Sequence, residues 1–142
     1  MADENNALRV ELVQADRLVW SGEATMVVAR SVTGDLGVLP GHAPLLTLLV
    51  DGVVTIHPVE GHTVRGAVLG GFLSVHDNRV SILAEEARLS DEIDLADAHR
   101  RLEQLRSRAD VEEAQDDIRR AEAIVRAAEG AETSAGSATS AN

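Results

Sequence analysis

The sequence predicts an all-β N-terminal sandwich, or flattened antiparallel barrel, followed by a C-terminal antiparallel α-helical hairpin. The first observation is a series of short apolar runs over residues 8–83, separated by turn residues and lacking helical periodicity. The second is a change of period after Glu85, where apolar residues recur every three or four positions. We therefore expect a β-sandwich over residues 1–88, a helical hairpin over 89–129 and a disordered tail over 130–142.

The predicted strands begin with period-two alternation over Leu8–Leu12, which is typical of a strand with one buried face. A bulge or turn is expected at Ser21 and Gly22. The pairs Asp51-Gly52 and Asp77-Asn78 each separate two apolar runs, and such pairs favour tight hairpin turns because they tolerate positive φ. The remaining runs predict strands at Leu18–Trp20, Thr25–Ala29, Gly37–Leu39, Leu45–Val50, Val53–His57, Val64–Leu69, Phe72–His76 and Arg79–Leu83.

Two apolar stripes predict the helical hairpin. Asp91 or Asp94 can cap the first helix and Asp110 the second, and the short link between the helices favours an antiparallel pair. Five of the eleven stripe positions are alanine, which buries little area, so the hairpin should be marginal and able to leave the sandwich. The stripes are Leu95, Ala98, Leu102, Leu105 and Ala109, and then Val111, Ala114, Ile118, Ala121, Val125 and Ala128.

Composition narrows the range of partners. The formal net charge is −11, and it divides into −5 for residues 1–90 (6 − 11) and −6 for the rest (7 − 13), so neither part offers a basic surface. A net-acidic protein with only two aromatic residues is poorly suited to nucleic acid. No apolar stretch approaches the roughly 20 residues needed to span a bilayer. We expect protein partners, no nucleic acid and no direct membrane insertion.

No pattern in the chain predicts catalysis, a cofactor or a metal site. The five histidines lack the helical His-x-x-x-His spacing of a zinc site, and His57, Glu60 and His62 more simply decorate a turn. The serines lack a Gly-x-Ser-x-Gly context. Gly70 and Gly71 lie between two apolar runs, where they permit a bulge or a close backbone approach. The alternative to an interaction protein is a free-standing β-sandwich that binds a small molecule or metal.

One segment has an unusually constrained backbone. Three glycines and two prolines occur within Gly34–Pro44, and such rigid loops dock well because little entropy is lost on binding. This segment, together with Val19–Ala24, Gly70–Leu73 and Asn78–Val80, resembles the epsilon subunit of the bacterial F-type ATP synthase. The resemblance extends from about Leu8 to Ile124.

The resemblance implies a ten-stranded sandwich held by the gamma subunit and the c-ring in the rotating central stalk, with no chemistry of its own. It implies a peripheral position on the cytoplasmic side of the cell membrane. It also implies a hairpin that either folds against the sandwich or extends toward the alpha/beta catalytic head, where it hinders ATP hydrolysis. Ring and gamma docking is assigned to Ser31, Asp35, Pro40, Gly41 and His42, and hairpin contacts are assigned to Arg100, Arg101, Arg119, Arg120 and Arg126.

Some members of the family bind ATP through an Ile/Leu-Asp-x-x-Arg-Ala pattern near the start of the first helix. The matching stretch here is Ile93–Ala98, in which Asp94 and Ala98 agree but Asp97 replaces the arginine. An acidic side chain in place of a phosphate-facing cation reverses the local electrostatics. The sequence therefore predicts that ATP does not bind.

Overall fold

A computed structural model describes residues 7–107 and 111–140, and describes side chains within 7–107 and 114–129. These ranges hold nine strands, a short 3-10 helix (Ser90–Glu92) and two α-helices. The strands are β1 (Leu8–Gln14), β2 (Arg17–Ser31), β3 (Gly34–Val38), β4 (Leu45–Leu48), β5 (Gly52–Pro58), β6 (Val64–Leu69), β7 (Phe72–His76), β8 (Arg79–Ala84) and β9 (Glu86–Leu89). The helices are α1 (Leu95–Arg106) and α2 (Val111–Ser140).

The strands form one folded-over sheet in the order β4-β7-β8-β1-β2-β5-β6-β9, with β3 also paired to β2. All these pairs are antiparallel except β1 with β8, which is parallel. The sandwich is therefore confirmed, with nine strands in the described ranges rather than the ten that the resemblance implied. One reason is that β2 is a single 15-residue strand that pairs with β1, β3 and β5.

The interruption expected at Ser21 and Gly22 is wrong, because β2 runs through both residues. Two register irregularities lie on either side of these residues. One is in the pairing with β1, between Leu12 and Val13 of β1, and the other is in the pairing with β5, between Ala24 and Met26 of β2. Gly22 leaves room for the side chain of Trp20, since a Cβ there would lie 2.9 Å from the indole ring. The glycine accommodates the indole and does not turn the chain.

Of the two predicted hairpin turns, one is confirmed and one is wrong. Asp77 and Asn78 have φ of 48° and 62° and join the antiparallel pair β7 and β8. Asp51 and Gly52 do not close a hairpin, because β4 pairs with β7 whereas β5 pairs with β2 and β6. At Gly71, φ is +111° and an added Cβ would overlap the carbonyl oxygen of Leu83, so the predicted close backbone approach is confirmed.

The sandwich core consists of the inward-facing residues of the strands. Strand β8 shows the pattern clearly, since Val80, Ile82 and Ala84 are buried while the residues between them are exposed. This alternation excludes water from one face of each strand and supplies most of the apolar burial. The largest fully buried side chains in the strands are Leu8, Val10, Leu12, Val27, Val38, Ile56, Val68, Leu69, Leu73, Val75, Val80 and Ile82.

The two helices form the predicted hairpin. Asp94 caps α1 by accepting hydrogen bonds from the backbone N–H groups of Ala96 at 3.0 Å and Asp97 at 3.2 Å. The predicted cap Asp110 lies outside the described residues. Between the helices, Leu102 and Leu105 of α1 pack with residues of α2 in a small apolar cluster. The α2 members of that cluster are Ile118, Ala121 and Val125.

Helix α2 also lies against β5 and β6. Ala67 and Leu69 of β6 are fully buried although they alternate with the core residue Val68, so their face of the sheet is covered by α2. Ala123 and Ala127 of α2 are fully buried as well. The hairpin is thus folded onto one outer face of the sandwich.

The helix bounds differ from the expectation at one end. α2 continues to Ser140, through the segment predicted to be a disordered tail. Residues 131–140 contain several alanines, which have the highest helix propensity and so allow an established helix to propagate.

Candidate docking surfaces

An apolar row crosses the outer face of the sheet from β4 to β2. In register, Leu48 of β4 lies beside Phe72 of β7, which lies beside Leu83 of β8. Leu83 in turn pairs with Val13 of β1, and Val13 with Leu18 of β2. The four largest of these side chains are between 48% and 58% exposed. A contiguous row of half-exposed Leu and Phe is characteristic of a surface that another protein covers.

A shallow cavity of about 410 Å³ follows this row, lined by Leu48, Phe72, Leu83 and Val13 together with Gly71 and Glu85. The sequence-based site assignment missed the row. A signal was present, because Leu83 follows the buried Ile82 and precedes Ala84, so β8 is apolar on both faces at this end. A strand with apolar residues on both faces is typical of one whose two faces are both covered, so the exposed face of β8 indicates a surface for a partner protein.

Ser31 and Asp35 lie at the turn between β2 and β3. Ser31 is only 5% exposed, and its hydroxyl donates to the carbonyl of Gly34 at 2.9 Å and accepts from the N–H of Thr33 at 3.2 Å. Asp35 is exposed and lies 3.8 Å from Arg30 on β2. Ser31 therefore shapes this turn from inside, whereas Asp35 and the exposed Val32 form its outer surface.

Pro40, Gly41 and His42 lie in the loop at the other end of β3. The N–H of Gly41, at a φ of +88°, donates to Asn78 Oδ1 at 2.7 Å, which fixes the loop to the turn between β7 and β8. The N–H of His42 donates to the carbonyl of Leu39 at 3.1 Å. Because β3 is five residues long, its two ends lie roughly 13 Å apart. The structure thus separates the five predicted docking residues into two groups.

The five predicted hairpin arginines also have separate environments. Arg100 and Arg119 are exposed and form ion pairs within their own helices, with Asp97 and Asp116. The other three face parts of the molecule: Arg101 lines a cavity beside the start of α1, Arg126 lines a cavity against β2 and β5, and Arg120 contacts the sandwich. They do not form one surface in the folded hairpin.

Arg120 connects α2 to the sandwich by ion pairs. Its Nη2 donates to Glu85 Oε2 at 2.8 Å, and its Nε lies 3.6 Å from Asp51 Oδ2. Partial burial alone would lower the pKa of Arg120, but the hydrogen bond to Glu85 and the charges of Asp51, Glu85 and Glu86 raise it overall. The guanidinium therefore stays charged in the folded hairpin.

The comparison with protein-family models gives a match over residues 7–90 to the ATP synthase delta/epsilon chain beta-sandwich domain. This match covers more than half of the chain and coincides with β1 to β9. The chain belongs to the ATP synthase delta/epsilon chain family. The resemblance seen in the glycine- and proline-rich segment is thereby confirmed.

Individual relatives agree with this family. An ATP synthase epsilon chain of Streptomyces coelicolor is 55% identical over 123 residues, which is 87% of this chain and 96% of the relative. The epsilon chain of Streptomyces griseus is 60% identical over 103 residues, 72% of this chain and 83% of the relative. A chain in the cryo-EM structure of the Euglena gracilis mitochondrial ATP synthase, comprising OSCP, F1 and c-ring, superposes with a TM-score of 0.71 at 26% identity over 89% of this chain and 81% of that one.

The family's nucleotide motif corresponds to a cavity of about 250 Å³ at the start of α1. Its charged lining residues are Glu92, Asp94 and Asp97 against Arg88 and Arg101, so acids outnumber cations. Asp94 is already engaged as the cap of α1 and Asp97 pairs with Arg100. This cavity does not offer the cationic surface that a triphosphate needs.

Two absences concern only the part of the chain that the structure describes. No group of three or more His, Asp or Glu side chains in that part of the chain could hold a metal ion. None of the helices there combines the length and the apolar character required to cross a membrane.

Proposed function

We propose that this chain is a non-catalytic central-stalk subunit of the F-type ATP synthase, which docks its exposed sheet face on the gamma subunit and one end of its sandwich on the c-ring. The observation that carries this proposal is the apolar row from Leu48 to Leu18. Its Leu and Phe side chains are half-exposed in the structure, in which the hairpin is folded onto the sandwich, so the row is accessible in that state. Burial of such a row stabilises a complex by about 25 cal/mol per Å² of apolar area, before the cost of association is subtracted.

The two ends of β3 serve different partners in this proposal. The turn that carries Asp35 and Val32 contacts the c-ring, with Ser31 setting its shape. The loop of Pro40, Gly41 and His42 extends the gamma-facing surface, because Asn78 holds it against the turn that joins β7 to β8. Support comes from the rigidity of both segments, which lose little entropy on docking.

The hairpin acts as a regulatory arm over residues 89–129. Its contacts with the sandwich consist of small side chains and a few ion pairs, so the arm can be released at modest cost. In the released arm, Arg100, Arg101, Arg119, Arg120 and Arg126 become available to acidic surfaces of the alpha/beta head, where they hinder ATP hydrolysis. Membrane association is peripheral, through gamma and the c-ring on the cytoplasmic side of the cell membrane.

Co-purification from the native host tests the docking surface. Tagged wild-type chain should capture the gamma subunit, and the double variant Phe72→Ser, Leu83→Ser should lose at least nine-tenths of it, because two central side chains of the row are removed. The matched control is Val59→Ser, an equally exposed apolar residue outside the row. Equal capture by the double variant and the control would sink the proposed surface.

The regulatory arm has its own test. Removal of residues from Asp91 onward should leave capture of gamma intact and raise ATP hydrolysis by the assembled complex. The sandwich core uses no side chain beyond Leu89, so the truncated chain should still fold. Unchanged hydrolysis would show that the hairpin has no inhibitory role.

A further inference from the structure

We propose that a second cavity under α2 binds a small phosphate-bearing anion that connects the hairpin to the sandwich. The cavity has a volume of about 440 Å³ and lies between the outer faces of β2, β5 and β6 and the side chains of Arg126 and Glu129 on α2. Three arginines line it, Arg30 and Arg65 from the sheet and Arg126 from the helix. This proposal goes beyond docking on the stalk, because it concerns a ligand and not a partner protein.

Arg65 presents an unsatisfied edge. Its Nη1 donates to Thr55 Oγ1 at 3.3 Å. The other edge of the guanidinium, formed by Nε and Nη2, takes no part in that hydrogen bond. Nε is buried and has no hydrogen-bond acceptor among the residues that the structure describes. A buried donor without an acceptor costs free energy, so this edge favours an added oxyanion.

The positive charges of the other two arginines, Arg30 and Arg126, have few acidic partners. Arg126 forms no hydrogen bond or ion pair within the described ranges, and Arg30 has only the exposed contact with Asp35 at 3.8 Å. Of the acids that line the cavity, Glu129 lies 3.4 Å from His99 Nε2 on α1. Three cations therefore face two carboxylates in a chain whose net charge is −11. This local reversal of sign would concentrate anions at the cavity.

The geometry favours a small phosphate over a macromolecule. Helix α2 forms one wall of the cavity, so a protein partner would have to displace it, whereas a volume of about 440 Å³ accommodates a phosphate or pyrophosphate after local adjustment of the Arg65 side chain. Planar guanidinium groups bind phosphate oxygens through two parallel hydrogen bonds. An anion shared by Arg65 of the sheet and Arg126 of the helix would stabilise the folded hairpin. The site shares no residue with the cavity at the family's nucleotide motif.

Titration of the full chain with pyrophosphate tests the site. Calorimetry should show saturable binding, and the ¹⁵N-detected Nε–H resonance of Arg65 should shift with the same Kd. Arg65→Gln and Arg126→Gln should each raise the Kd at least tenfold and abolish the rise in Tm that pyrophosphate gives the wild type. The matched control is Arg79→Gln, an exposed arginine on β8, a strand that lines no part of this cavity, and it should keep the Kd within twofold.

The remaining outcomes are decisive as well. Absence of saturable binding, or equal weakening by Arg79→Gln, would overturn the proposal, since the second result would indicate only general attraction of anions. Arg126 belongs to α2 and contributes nothing to the sandwich core, so Arg126→Gln keeps the proposal testable if Arg65→Gln misfolds. The titration is then repeated with orthophosphate and with ADP. Binding of orthophosphate would identify free phosphate as the ligand, and binding of ADP alone would identify a nucleotide. Binding of neither would count against the site. Capture of gamma should be unaffected in Arg65→Gln and Arg126→Gln, so this test is independent of the docking proposal.

Discussion

Arg120 on α2 and Glu85 between β8 and β9 form a 2.8 Å ion pair that joins the hairpin to the sandwich. Replacing Arg120 with Gln should loosen this attachment by about 0.5–1 kcal/mol, because the pair is partly exposed and screened. Amide exchange at Ala123 and Ala127 should accelerate up to roughly fivefold. The control is Arg119→Gln, whose partner Asp116 lies on the same helix. Equal exchange in the two variants would contradict a role for Arg120 in attachment.

The same residue sets the pH response of the attachment. Because its contacts raise the pKa of Arg120, the stability that its charge contributes is present below its unfolded-state pKa and is lost only as the pH rises through the raised pKa. We therefore expect amide exchange of α2, corrected for its intrinsic pH dependence, to stay constant from neutral to mildly alkaline pH. A step in protection within that window would show that another group controls the hairpin.

Small side chains determine how closely α2 approaches β6. Ala123 is fully buried on α2 and Ala67 is fully buried on the covered face of β6. Ala123→Leu should destabilise the folded hairpin by about 1–3 kcal/mol through overpacking, without changing the sandwich core. Limited proteolysis should then cut the helices sooner while the sandwich stays intact. Ala96→Leu on the exposed side of α1 is the control, and faster cleavage in it as well would reveal a general effect of added leucine.

The turn between β6 and β7 requires glycine. Gly71→Ala places a Cβ against the carbonyl of Leu83 at a φ of +111°, so we expect a loss of at least about 3 kcal/mol in urea unfolding or failure to fold. Gly37→Ala on β3 provides the comparison, since no atom lies within 4 Å of its added Cβ. That variant should stay within about 0.5 kcal/mol of the wild type. Similar losses at both positions would mean that the clash is relieved by movement of the chain.

Nucleotide binding should be absent from the cavity at the start of α1. Calorimetry with millimolar ATP on the Arg65→Gln variant, which removes the anion site under α2, should give no saturable heat, because Glu92, Asp94 and Asp97 repel phosphates at the start of α1. If Asp97 is the decisive departure from the family pattern, Asp97→Arg should gain measurable binding while Asp97→Asn should not. Saturable binding of ATP by the wild type through this cavity would refute the electrostatic argument.

Local patterns in the sequence predicted most of the fold. Alternation of apolar residues located the strands, and Asp77 with Asn78 formed the hairpin turn that their tolerance of positive φ favours. Asp51 and Gly52 carry the same local signal, yet the chain there crosses from the β4 edge of the sheet to β5, because the partners of β4 and β5 lie elsewhere in sequence. The choice between a hairpin and a crossover is made by long-range pairing, which no local pattern encodes.

The docking surfaces were less predictable for the same reason. Phe72, Leu83 and Leu18 come from three separate runs, and only the registers of β7 with β8, of β8 with β1 and of β1 with β2 bring them into one row. The family resemblance assigned Ser31 to ring docking by its position. Its hydroxyl instead satisfies the backbone of its own turn, as small polar residues at turns commonly do.

The parallel pairing of β1 with β8 also determines when the protein can fold. Among the described strands β1 is synthesised first, but its neighbour β8 follows only after the six strands between them have been made. Until then one backbone edge of β1 and its apolar face lack their native cover, which is a condition that favours intermolecular strand pairing. Because loop closure over so long a separation is slow, biosynthesis of this small chain should depend on chaperones or rapid capture more than its size suggests.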